Sequence, residues 1–418
     1  MKLLFLSAHY PPLARGGGEI STHLLAQELA HRGHDVQVIT EGAQREESML
    51  DGVKIVRAPL GLTKKPLFEE RANRRMAREL AKILYEFNTS PPPIRRAGPT
   101  LVHAHDFRSA LVLSELIRMQ KIPAEMAYVT LRDYASVCGT TNNILRDGSV
   151  CHCTIADLRQ TQRYREAWIP RRYARLWQYW YNVGYRQRAF GNIPNQAYIS
   201  AAQRDVIYGQ TSFGSLRHTV IHNPVPETYL SAPLQDGKAH TVLYAGTVEN
   251  YKGVDVLIAA WQEVARRNHE AHLIIVGEGA QLFTYKRMVE RAGLTERVEF
   301  VGKVPWERMQ QIYESAQLIV APHCWVEPFG RTVAEAMALG KVVLSANTGG
   351  PAEMIEHNKS GFLFAHGSAE ALAQHLVEAL ALPVLRRREM GAAARAWAKE
   401  HLAPDVIAKQ YEEFYTAA

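Results

Sequence analysis

The chain has 418 residues, of which 47% are hydrophobic and 22% charged, and its formal net charge is +7. This composition excludes a disordered chain, a collagen and a coiled coil, and the length predicts two or three domains. Its four cysteines exclude a disulfide scaffold and are typical of a reducing compartment. The sequence holds no run of about 18 apolar residues that would span a membrane as a helix.

Positive charge is concentrated in the first half of the chain. Residues 1–225 contain 30 Lys and Arg against 19 Asp and Glu, a formal charge of +11, whereas residues 226–418 contain 19 against 23, a formal charge of −4. A basic half favours anionic partners such as phosphate esters or lipid head groups. Zinc-finger spacing, an RNA-recognition signature and Gly-Arg repeats are all missing from the sequence, so we expect no nucleic-acid partner.

The first residues predict a buried strand followed by a helix and a second strand. Residues 3–6 are apolar, but the run is too short for a signal peptide and two prolines follow it closely. Residues 20–32 have helical apolar spacing, Gly33 ends that helix, and residues 36–40 predict the next strand. Such a β-α-β unit implies parallel strands with a right-handed crossover.

The second half repeats this alternation. Strands are predicted at residues 241–245, 273–277, 298–302, 317–321, 342–345 and 361–364, with a loop at 246–253 and a helix at 254–267. Each half therefore has enough units for its own doubly wound α/β sheet, whose ligand would lie at the carboxyl ends of the strands. The prolines of residues 222–226 predict a linker, which gives domains of 1–225 and 226–394.

Two glutamates eight positions apart carry the clearest chemical signal. Glu327 lies in a loop after a predicted strand, and Glu335 lies on the helix that begins near Gly330. The start of that helix offers N–H groups and a positive dipole to a phosphate, and Gly330 lets a ligand approach the backbone. Glu335 is placed to accept hydrogen bonds from vicinal hydroxyls such as those of a ribose. Taken alone, the two glutamates would be interpreted as solvated carboxylates.

The surrounding residues resemble glycosyltransferase family four, the retaining nucleotide-sugar transferases of the GT-B fold. The family pattern is matched by Glu327-Pro328-Phe329-Gly330, then Glu335, then Gly340. Further matching motifs follow the family order over nearly the whole chain: Pro11-Pro12, Gly16-Gly17-Gly18-Glu19, Arg32-Gly33-His34-Asp35-Val36, Val102-His103-Ala104-His105-Asp106, Gly246, Lys252-Gly253-Val254-Asp255, Val276-Gly277-Glu278-Gly279 and Thr348-Gly349-Gly350 with Glu353.

This resemblance implies two Rossmann-like doubly wound parallel-sheet domains facing a central cleft, with a last helix, about 395–418, crossing back onto the first domain. It implies transfer of a hexose-type sugar from a UDP- or GDP-sugar to a hydroxyl of a glycan or lipid-linked glycan, in polysaccharide biosynthesis and with retention of configuration. No cofactor and no catalytic metal are expected, and the sequence shows no Asp-x-Asp pair of the metal-dependent kind.

The resemblance also implies roles for individual residues. Lys252 would pair with the donor diphosphate and stabilise the leaving group, Glu327 would contact the sugar hydroxyls, and Glu335 would hold the ribose. His105 would line the sugar site, whereas His103 is expected to face the other way in a structural role. The remaining donor-site positions are Gly17, Gly18, Gly277, Gly279, Val304, Phe329, Gly330 and Arg331.

Two positions depart from the family pattern. Thr247 stands where most members carry an arginine that grips the diphosphate, and a hydroxyl cannot replace a guanidinium fork. Either Arg15 or Arg331 substitutes for it, or leaving-group stabilisation is weaker. Arg132 stands where related members often carry histidine and would add charge to the cleft. These changes leave open a second hypothesis, a non-catalytic sugar-nucleotide or glycan binder.

Three cysteines lie close together in the first half. Cys138, Cys151 and Cys153 would bind zinc only with a fourth ligand such as His152, and their spacing is poor for it. A loop insert with free thiols near the acceptor side is the favoured interpretation, and metal binding is left open.

An arginine-rich and aromatic segment, residues 159–190, follows. It has eight arginines among Trp and Tyr residues and one acid, Glu166. This composition suits an anionic membrane surface, and it equally suits an amphipathic helix packed on the first domain. A nucleotide-binding scaffold recruited to membranes is a third hypothesis. We expect a cytoplasmic protein, with peripheral attachment to the inner face of the membrane left open.

Overall fold

The computed structural model describes residues 1–14, 16–63, 69–89, 100–138, 151, 169–211 and 216–417. The chain forms two compact units, which we call unit 1 (Met1–Pro224 with Ile407–Ala418) and unit 2 (Val225–Val406). The division falls one residue before the boundary expected from the prolines. Val225 already belongs to unit 2, where its N–H donates to the Leu402 carbonyl at 3.0 Å.

Unit 1 is built on an eight-stranded sheet in the order β3-β4-β2-β1-β5-β6-β7-β8. All neighbouring strands are parallel except β3 and β4, which form an antiparallel pair at one edge. The strands are β1 (Lys2–Ser7), β2 (Asp35–Glu41), β3 (Glu46–Leu50), β4 (Val53–Ala58), β5 (Thr100–Ala104), β6 (Ala127–Leu131), β7 (Asn195–Tyr198) and β8 (Arg217–Val220). The helices are α1 (Gly17–His31), α2 (Glu69–Thr89), α3 (Phe107–Arg118), α4 (Ile169–Gly191) and α5 (Ala201–Tyr208).

Unit 2 has a fully parallel six-stranded sheet in the order β11-β10-β9-β12-β13-β14. Numbered within the unit, this is the 3-2-1-4-5-6 order of a dinucleotide-binding sheet. The strands are β9 (Lys238–Ala245), β10 (His272–Val276), β11 (Val298–Gly302), β12 (Ala316–Ala321), β13 (Val342–Ala346) and β14 (Gly361–Phe364). The helices are α6 (Glu227–Ser231), α7 (Val254–Arg267), α8 (Leu282–Arg291), α9 (Met309–Ser315), α10 (Arg331–Ala338), α11 (Gly349–Met354), α12 (Ala369–Leu380) and α13 (Val384–Leu402).

The apolar runs in the sequence are the central strands of these sheets. Leu3, Leu4 and Phe5 in β1 have no exposed surface. Parallel strands covered by helices on both faces lose the polar alternation of half-exposed strands, which is why they are continuous apolar runs. The prediction of two doubly wound parallel sheets is confirmed, and α7 has the predicted bounds.

The C-terminal segment consists of two helices where a single one was expected from about residue 395. Helix α13 ends at Leu402, and α14 (Pro404–Thr416) begins at a proline. Proline has no N–H to continue a helix but fits the first helical turn, so the chain turns there. The return to unit 1 begins at Ile407, which is buried together with Tyr411 in the core beneath β1 and β6.

Glu412 links α14 to Arg32 and His34, which follow α1. Its carboxylate accepts two hydrogen bonds from Arg32, at 2.7 and 2.9 Å, and lies 2.6 Å from His34 Nε2. The hydrogen bonds from Arg32 lower the pKa of Glu412 from 4.5 to about 2. A carboxylate with a lowered pKa in the folded state stabilises above pH ~4.5 and loses that contribution as the pH falls towards 2.

Replacing Glu412 by glutamine is therefore expected to lower the free energy of unfolding at pH 7 by about 1–2 kcal/mol, after allowance for solvent screening. The difference from the unsubstituted protein should shrink as the pH falls from 4.5 towards 2. Urea denaturation at several pH values measures it, with Glu413→Gln on the exposed face of the same helix as the control. A difference that stays constant from pH 7 to pH 3 would contradict this assignment.

Helix α4 is packed against α2 on one face and exposed on the other. Arg186 makes two hydrogen bonds to Glu69, at 2.7 and 2.8 Å, and donates to the Cys138 carbonyl at 2.9 Å. Burial lowers the pKa of Arg186, but its bonds to Glu69 outweigh burial and raise it. Trp177 and Trp180 are 56% and 60% exposed. The packed-helix interpretation therefore holds for the inner face, and residues 159–168 lie outside the described residues.

The cysteine cluster is described only in part. Cys138 and Cys151 are buried, and Cys153 and His152 lie outside the described residues. Within the described ranges no group of three or more His, Cys, Asp and Glu side chains is arranged to hold a metal ion. The same ranges contain no helix with the length and apolarity to cross a bilayer.

Candidate functional site

The strand order of unit 2 brings two distant loops together. Strands β9 and β12 are neighbours in the sheet, although β10 and β11 lie between them in sequence. The loop after β9 carries Lys252, at the end of a short 3-10 turn (Asn250–Lys252), and the loop after β12 carries Glu327. Strand order reverses at this point, and ligands of such sheets bind there, beyond the carboxyl ends of the strands.

Lys252 and Glu327 form an ion pair at this point of the sheet. Lys252 Nζ donates to Glu327 Oε2 at 2.5 Å, and the indole N–H of Trp325 donates to the same oxygen at 2.8 Å. The ammonium group also lies 5.1 Å from the centre of the Trp325 ring, within range of a cation–π interaction. The two charged side chains are 22% and 16% exposed, so they are shielded from water but still reachable by a ligand.

The charge state of Glu327 follows from these neighbours. Burial raises the pKa of Glu327, but the charge of Lys252 and its hydrogen bond outweigh burial and lower it. His323 is itself buried, with Nε2 3.1 Å from the Thr348 carbonyl, and burial lowers the pKa of its imidazole. Glu327 is therefore an ionised and weakly basic carboxylate near neutral pH.

The backbone of Glu327 is held by the first residues of α11. Gly350 N–H donates to the Glu327 carbonyl at 2.8 Å. Gly349 has φ +68°, and a Cβ placed on it would lie 2.3 Å from the Glu327 carbonyl oxygen. Only glycine combines the left-handed conformation with so close an approach. The Gly349-Gly350 pair of the sequence motif therefore acts by positioning Glu327.

Helix α10 begins beside this ion pair. Gly330, with φ +80°, precedes it, and a Cβ there would lie 2.4 Å from Pro351 Cγ. Thr332 in the first turn donates its hydroxyl to the Ala245 carbonyl at 2.9 Å, which ties the helix start to the end of β9. Val333 N–H of this turn donates to the Gly330 carbonyl at 2.9 Å, and the helix start presents the positive end of its dipole, which favours an anion.

Glu335 lies one turn further along α10 and is 4% exposed. Arg331 Nε donates to its Oε1 at 2.7 Å, and the Tyr313 hydroxyl donates to its Oε2 at 2.9 Å. Burial raises the pKa of Tyr313 well above its usual value, so this hydroxyl stays protonated as a donor. A carboxylate oxygen can accept two hydrogen bonds, so each oxygen of Glu335 retains capacity for a ligand hydroxyl.

A pocket of about 150 Å³ opens between these elements. Its walls join four residues that were assigned a site role from the sequence, namely Lys252, Glu327, Gly330 and Arg331. Glu335 is connected to it through Arg331. The other wall residues are Tyr244, Ala245, Gly246, Ala321, Pro322, His323, Thr332, Val333 and Pro351.

Gly277 and Gly279, two of the expected donor-site positions, have a packing role in the structure. Gly277 has φ +138°, and a Cβ on it would lie 1.8 Å from the Gly246 carbonyl oxygen. A Cβ on Gly279 would lie 2.2 Å from the Val248 carbonyl oxygen. The loops after β9 and β10 therefore touch through backbone atoms. Val304 is half-buried just after β11.

Two further expected positions flank the pocket residues in sequence. Thr247 is exposed, and its carbonyl accepts a hydrogen bond from the Tyr244 hydroxyl at 2.7 Å. Its short side chain brings no cation to the end of β9. Phe329 is buried directly before Gly330, in the loop that leads into α10.

The remaining expected residues lie at the equivalent position of unit 1. Gly17 and Gly18 begin α1 after β1, and His105 follows β5, the neighbour of β1. Arg132 packs against His105 and Gly18. Its Nε lies 3.2 Å from the His105 carbonyl oxygen, and its Cδ lies 3.3 Å from the position that a Cβ on Gly18 would take. The loops after β1 and β5 therefore meet at the switch point of this sheet as well.

His105 is a buried, neutral imidazole. Its exposure is 1%, and burial lowers its pKa well below the usual value, with a further effect of His103 and Arg132. Its Nε2 is buried without a hydrogen-bond partner among the described residues. A buried polar atom without a hydrogen bond lowers the stability of the fold, and a ligand that hydrogen-bonds to it would remove that cost. This supports the expectation that His105 contacts substrate.

His103 corrects one expectation. Its ring centre lies 4.0 Å from that of His105, so the two side chains share a face and do not point apart. Residues two apart along a strand point to the same side of the sheet, so the opposite orientation predicted for His103 is wrong. His103 contacts the Tyr415 hydroxyl at 2.6 Å and Thr130 Oγ1 at 2.9 Å. It links β5 to the C-terminal helix α14.

Three side chains of the site were missed from the sequence. Trp325 stands two residues before the Glu327-Pro328-Phe329-Gly330 motif, and an indole donor so close to a glutamate was an available signal. His323 lies in the same loop, and no site role was predicted for it. Tyr313, on α9, is 22 residues from its partner Glu335, and nothing in its local sequence indicates that contact.

Two family models match the chain. The model described as "Glycosyl transferases group 1" matches residues 227–397, and that described as "Glycosyltransferase Family 4" matches residues 15–124. Together the two models cover about two thirds of the chain. The first lies entirely within unit 2 and the second entirely within unit 1.

Some curated relatives match about half of the chain, and others match nearly all of it. A GDP-mannose-dependent alpha-(1-6)-phosphatidylinositol monomannoside mannosyltransferase of Mycobacterium tuberculosis is 29% identical over 199 residues, which are 46% of this chain and 51% of that protein. The alignment thus spans about half the length of that relative. Glycogen synthase of the same species is 24% identical over 94% of this chain and 89% of its own.

Solved structures match over the whole length. HepE of Anabaena, in complex with UDP-glucose, superposes with a TM-score of 0.67 at 20% identity and full coverage of both chains. Sucrose-phosphate synthase of Thermosynechococcus elongatus superposes with a TM-score of 0.71 at 20% identity, also with full coverage of both. At such identities these likenesses show the fold.

Proposed function

Because this chain belongs to glycosyltransferase family four and has the GT-B fold of that family, we propose that it transfers a sugar from a nucleoside-diphosphate sugar to an acceptor hydroxyl. The observation that carries the proposal is the Lys252–Glu327 pair beside the first turn of α10, at the switch point of the unit 2 sheet. A cation and a helix start meet there in one pocket, which suits a diphosphate. A carboxylate lies next to them, which suits sugar hydroxyls.

The reaction is a displacement at the anomeric carbon of the donor. The bond from that carbon to the diphosphate oxygen breaks, and the nucleoside diphosphate leaves with the electron pair. The acceptor hydroxyl forms the new bond, and its proton passes to an oxygen of the leaving phosphate. Lys252 and the first-turn N–H groups of α10 stabilise the charge that develops on the leaving group.

We propose that the configuration at the anomeric carbon is retained by attack from the face of the departing phosphate. Glu327 Oε2 already accepts from both Lys252 and Trp325, and its pKa is lowered. A carboxylate so neutralised is a poor covalent nucleophile, which favours a role in binding the sugar hydroxyls. We propose that no catalytic metal is required, since positive charge comes from Lys252 and the helix start.

Arg331 is our proposed substitute for the arginine that Thr247 replaces. Its side chain forms part of the pocket wall together with Lys252. The Glu335 carboxylate holds its Nε at 2.7 Å, which fixes the guanidinium group beside the start of α10. The other candidate, Arg15, lies outside the described residues.

The donor we propose is a UDP- or GDP-linked hexose and the acceptor a glycan or lipid-linked glycan. HepE is in complex with UDP-glucose, and the mycobacterial relative is named for GDP-mannose and a phosphatidylinositol mannoside. The comparisons do not favour the alternative of a non-catalytic binder.

The test is a transfer assay with UDP-glucose and GDP-mannose against glycan and lipid-linked acceptors, in the presence of EDTA, with the product analysed by NMR. We expect a product with the anomeric configuration of the donor. A product of inverted configuration would overturn retention. Tight donor binding with neither transfer nor hydrolysis would instead support the non-catalytic binder.

A second proposal concerns the outer face of α4, which we propose contacts an anionic membrane surface. Trp177 and Trp180 are exposed there, in the more basic half of the chain. Tryptophan rings favour the head-group region, and arginines favour its phosphates.

Replacing both tryptophans by serine is expected to reduce co-sedimentation with phosphatidylglycerol vesicles several-fold, with little binding to phosphatidylcholine vesicles in either protein. Phe283→Ser, on an apolar side chain of unit 2 that is 73% exposed, is the matched control. Equal binding by the double variant would contradict the proposal.

A further inference from the structure

Lys341 is a buried lysine of unit 2 to which the transfer reaction assigns no role. It lies between α10 and β13, and only 2% of its surface is exposed. A lysine is rarely buried without partners, because its ammonium group loses the solvation of water. The acceptors around this ammonium group therefore show which parts of the unit the residue holds together.

Three backbone carbonyls accept from the ammonium group. Lys341 Nζ donates to the carbonyl oxygens of Glu314 at 2.8 Å, Ala316 at 2.9 Å and Gln235 at 2.8 Å. Glu314 lies in the last turn of α9, Ala316 directly follows that helix, and Gln235 precedes β9. An ammonium group has three N–H donors and favours the negative end of a helix dipole. The side chain of Lys341 is thus bonded to the C-terminal end of α9.

The backbone of the same residue closes α10. Lys341 N–H donates to the Ala336 carbonyl at 2.9 Å, and Gly340 N–H donates to the Met337 carbonyl at 2.9 Å. Gly340 has φ +69°, the left-handed conformation in which a glycine commonly ends a helix and the next N–H bonds back to its last turn. Lys341 is therefore bonded to the ends of α9 and α10 at once.

These bonds lie next to the hydrogen bond that joins the two helices at the donor pocket. Glu314 directly follows Tyr313, and Ala336 directly follows Glu335. The Tyr313 hydroxyl donates to Glu335 Oε2 at 2.9 Å. A shift of α9 against α10 would lengthen this bond, and Lys341 opposes such a shift through its bonds to both helices.

We propose that Lys341 is a positioning residue of the donor site. By linking the ends of α9 and α10, it keeps the Tyr313 hydroxyl on Glu335 and so orients this carboxylate towards the donor ribose. Lys341 acts through these two side chains and is not part of the pocket wall. The inference rests on the proposed function, since it concerns the same nucleotide-sugar site.

The charge of Lys341 makes this arrangement dependent on pH. Burial lowers the pKa of Lys341 from 10.5 to about 8, Arg387 also lowers it, and Glu314 and Asp236 favour the charged form. The other charged side chains of this region are two arginines of α13, namely Arg388, which pairs with Asp236, and Arg395, which lies beside Gly340. A neutral amine has only two N–H groups, so above this pKa it cannot donate to all three carbonyls. Donor binding is therefore expected to weaken from pH 7 to about pH 9.

The experiment measures calorimetric binding of UDP-glucose and GDP-mannose at pH 7 and about pH 9. It compares the unsubstituted chain with Lys341→Met, with Tyr313→Phe and with the double variant. Methionine preserves the length of the side chain and removes the three donors, whereas phenylalanine removes the hydroxyl alone. Val264→Ala, at a buried position in the last turn of α7, is the control for a loss of stability without a change at α9 or α10.

We expect each single variant to weaken donor binding at pH 7 about threefold to tenfold. The double variant should bind no more weakly than the weaker of the two single variants, because both substitutions act on the same hydrogen bond. The weakening from pH 7 to about pH 9 should be absent from both single variants. Val264→Ala should unfold at a lower temperature and bind the donor as the unsubstituted protein does.

The inference is overturned if Lys341→Met binds the donor as tightly as the unsubstituted protein, if the two single effects add in the double variant, or if Val264→Ala weakens binding equally. Tyr313→Phe keeps Lys341 and decides the question even where Lys341→Met does not fold, since an unchanged pH dependence in it would overturn the inference. In each of these cases the unsubstituted protein still binds the donor, and the proposed function stands. Binding of neither nucleotide sugar by the unsubstituted protein would overturn the inference together with the proposed donor site.

Discussion

An enzyme with Lys252 replaced by methionine is expected to transfer sugar with kcat about a hundredfold to a thousandfold lower. The substitution preserves the length of the side chain and removes the charge that faces the leaving diphosphate. It also removes the main influence that lowers the pKa of Glu327, while the burial that raises this pKa remains. We therefore expect the acid limb of the pH–rate profile to move to higher pH in this variant.

Lys286→Met is the matched control for this substitution. Lys286 is a lysine of the same unit, also placed near an aromatic ring, 5.8 Å from the centre of Phe300, but outside the pocket. Its replacement should leave kcat and the pH profile unchanged. If Lys252→Met retained kcat within about threefold, leaving-group stabilisation by Lys252 would be excluded.

Replacing Gly349 by alanine is expected to lower the free energy of unfolding by about 3 kcal/mol or more and to abolish most transfer. The left-handed backbone conformation alone costs about 1–2 kcal/mol for a residue with a side chain. The new Cβ would lie 2.3 Å from the carbonyl oxygen of Glu327, so relieving the collision must shift the loop that carries this carboxylate.

Gly367→Ala separates these two contributions. Gly367 has φ +74°, close to that of Gly349, but no atom lies within 4 Å of its Cβ position. It should show the cost of the conformation alone, about 1–2 kcal/mol, with transfer unchanged. Chemical denaturation and the transfer assay measure both effects. Equal losses in the two variants would show that the contact with Glu327 is unimportant.

Much of the fold was predictable because parallel strands are buried on both faces. The apolar runs around Leu3 and Leu273 predicted the strands β1 and β10, and the helices that alternate with the strands implied parallel pairing. The position of the site followed from the strand order, since residues after β9 and β12 meet where the order reverses. The local pattern of apolar residues and helices was therefore sufficient to predict the strands, their parallel pairing and the position of the site.

Contacts between residues far apart in sequence were not predictable. The Tyr313 hydroxyl on Glu335 depends on how α9 packs beside α10, and the link from His103 to Tyr415 depends on where α14 returns. The break before Pro404 was visible in the sequence, because proline cannot continue a helix, and it was overlooked. Side-chain partners depend on tertiary packing, which the spacing of residues within one element does not reveal.

The most direct test of the central claim is calorimetric binding of UDP-glucose, GDP-mannose, ADP-glucose and TDP-glucose to the unsubstituted protein and to Glu335→Ala. Glu296→Ala, an exposed glutamate of the same unit, serves as the control. The account predicts that a UDP- or GDP-sugar binds, that Glu335→Ala weakens this binding about tenfold or more, and that Glu296→Ala leaves it unchanged. Binding of no nucleotide sugar, or equal binding by all three proteins, would contradict a donor site in the pocket beside α10.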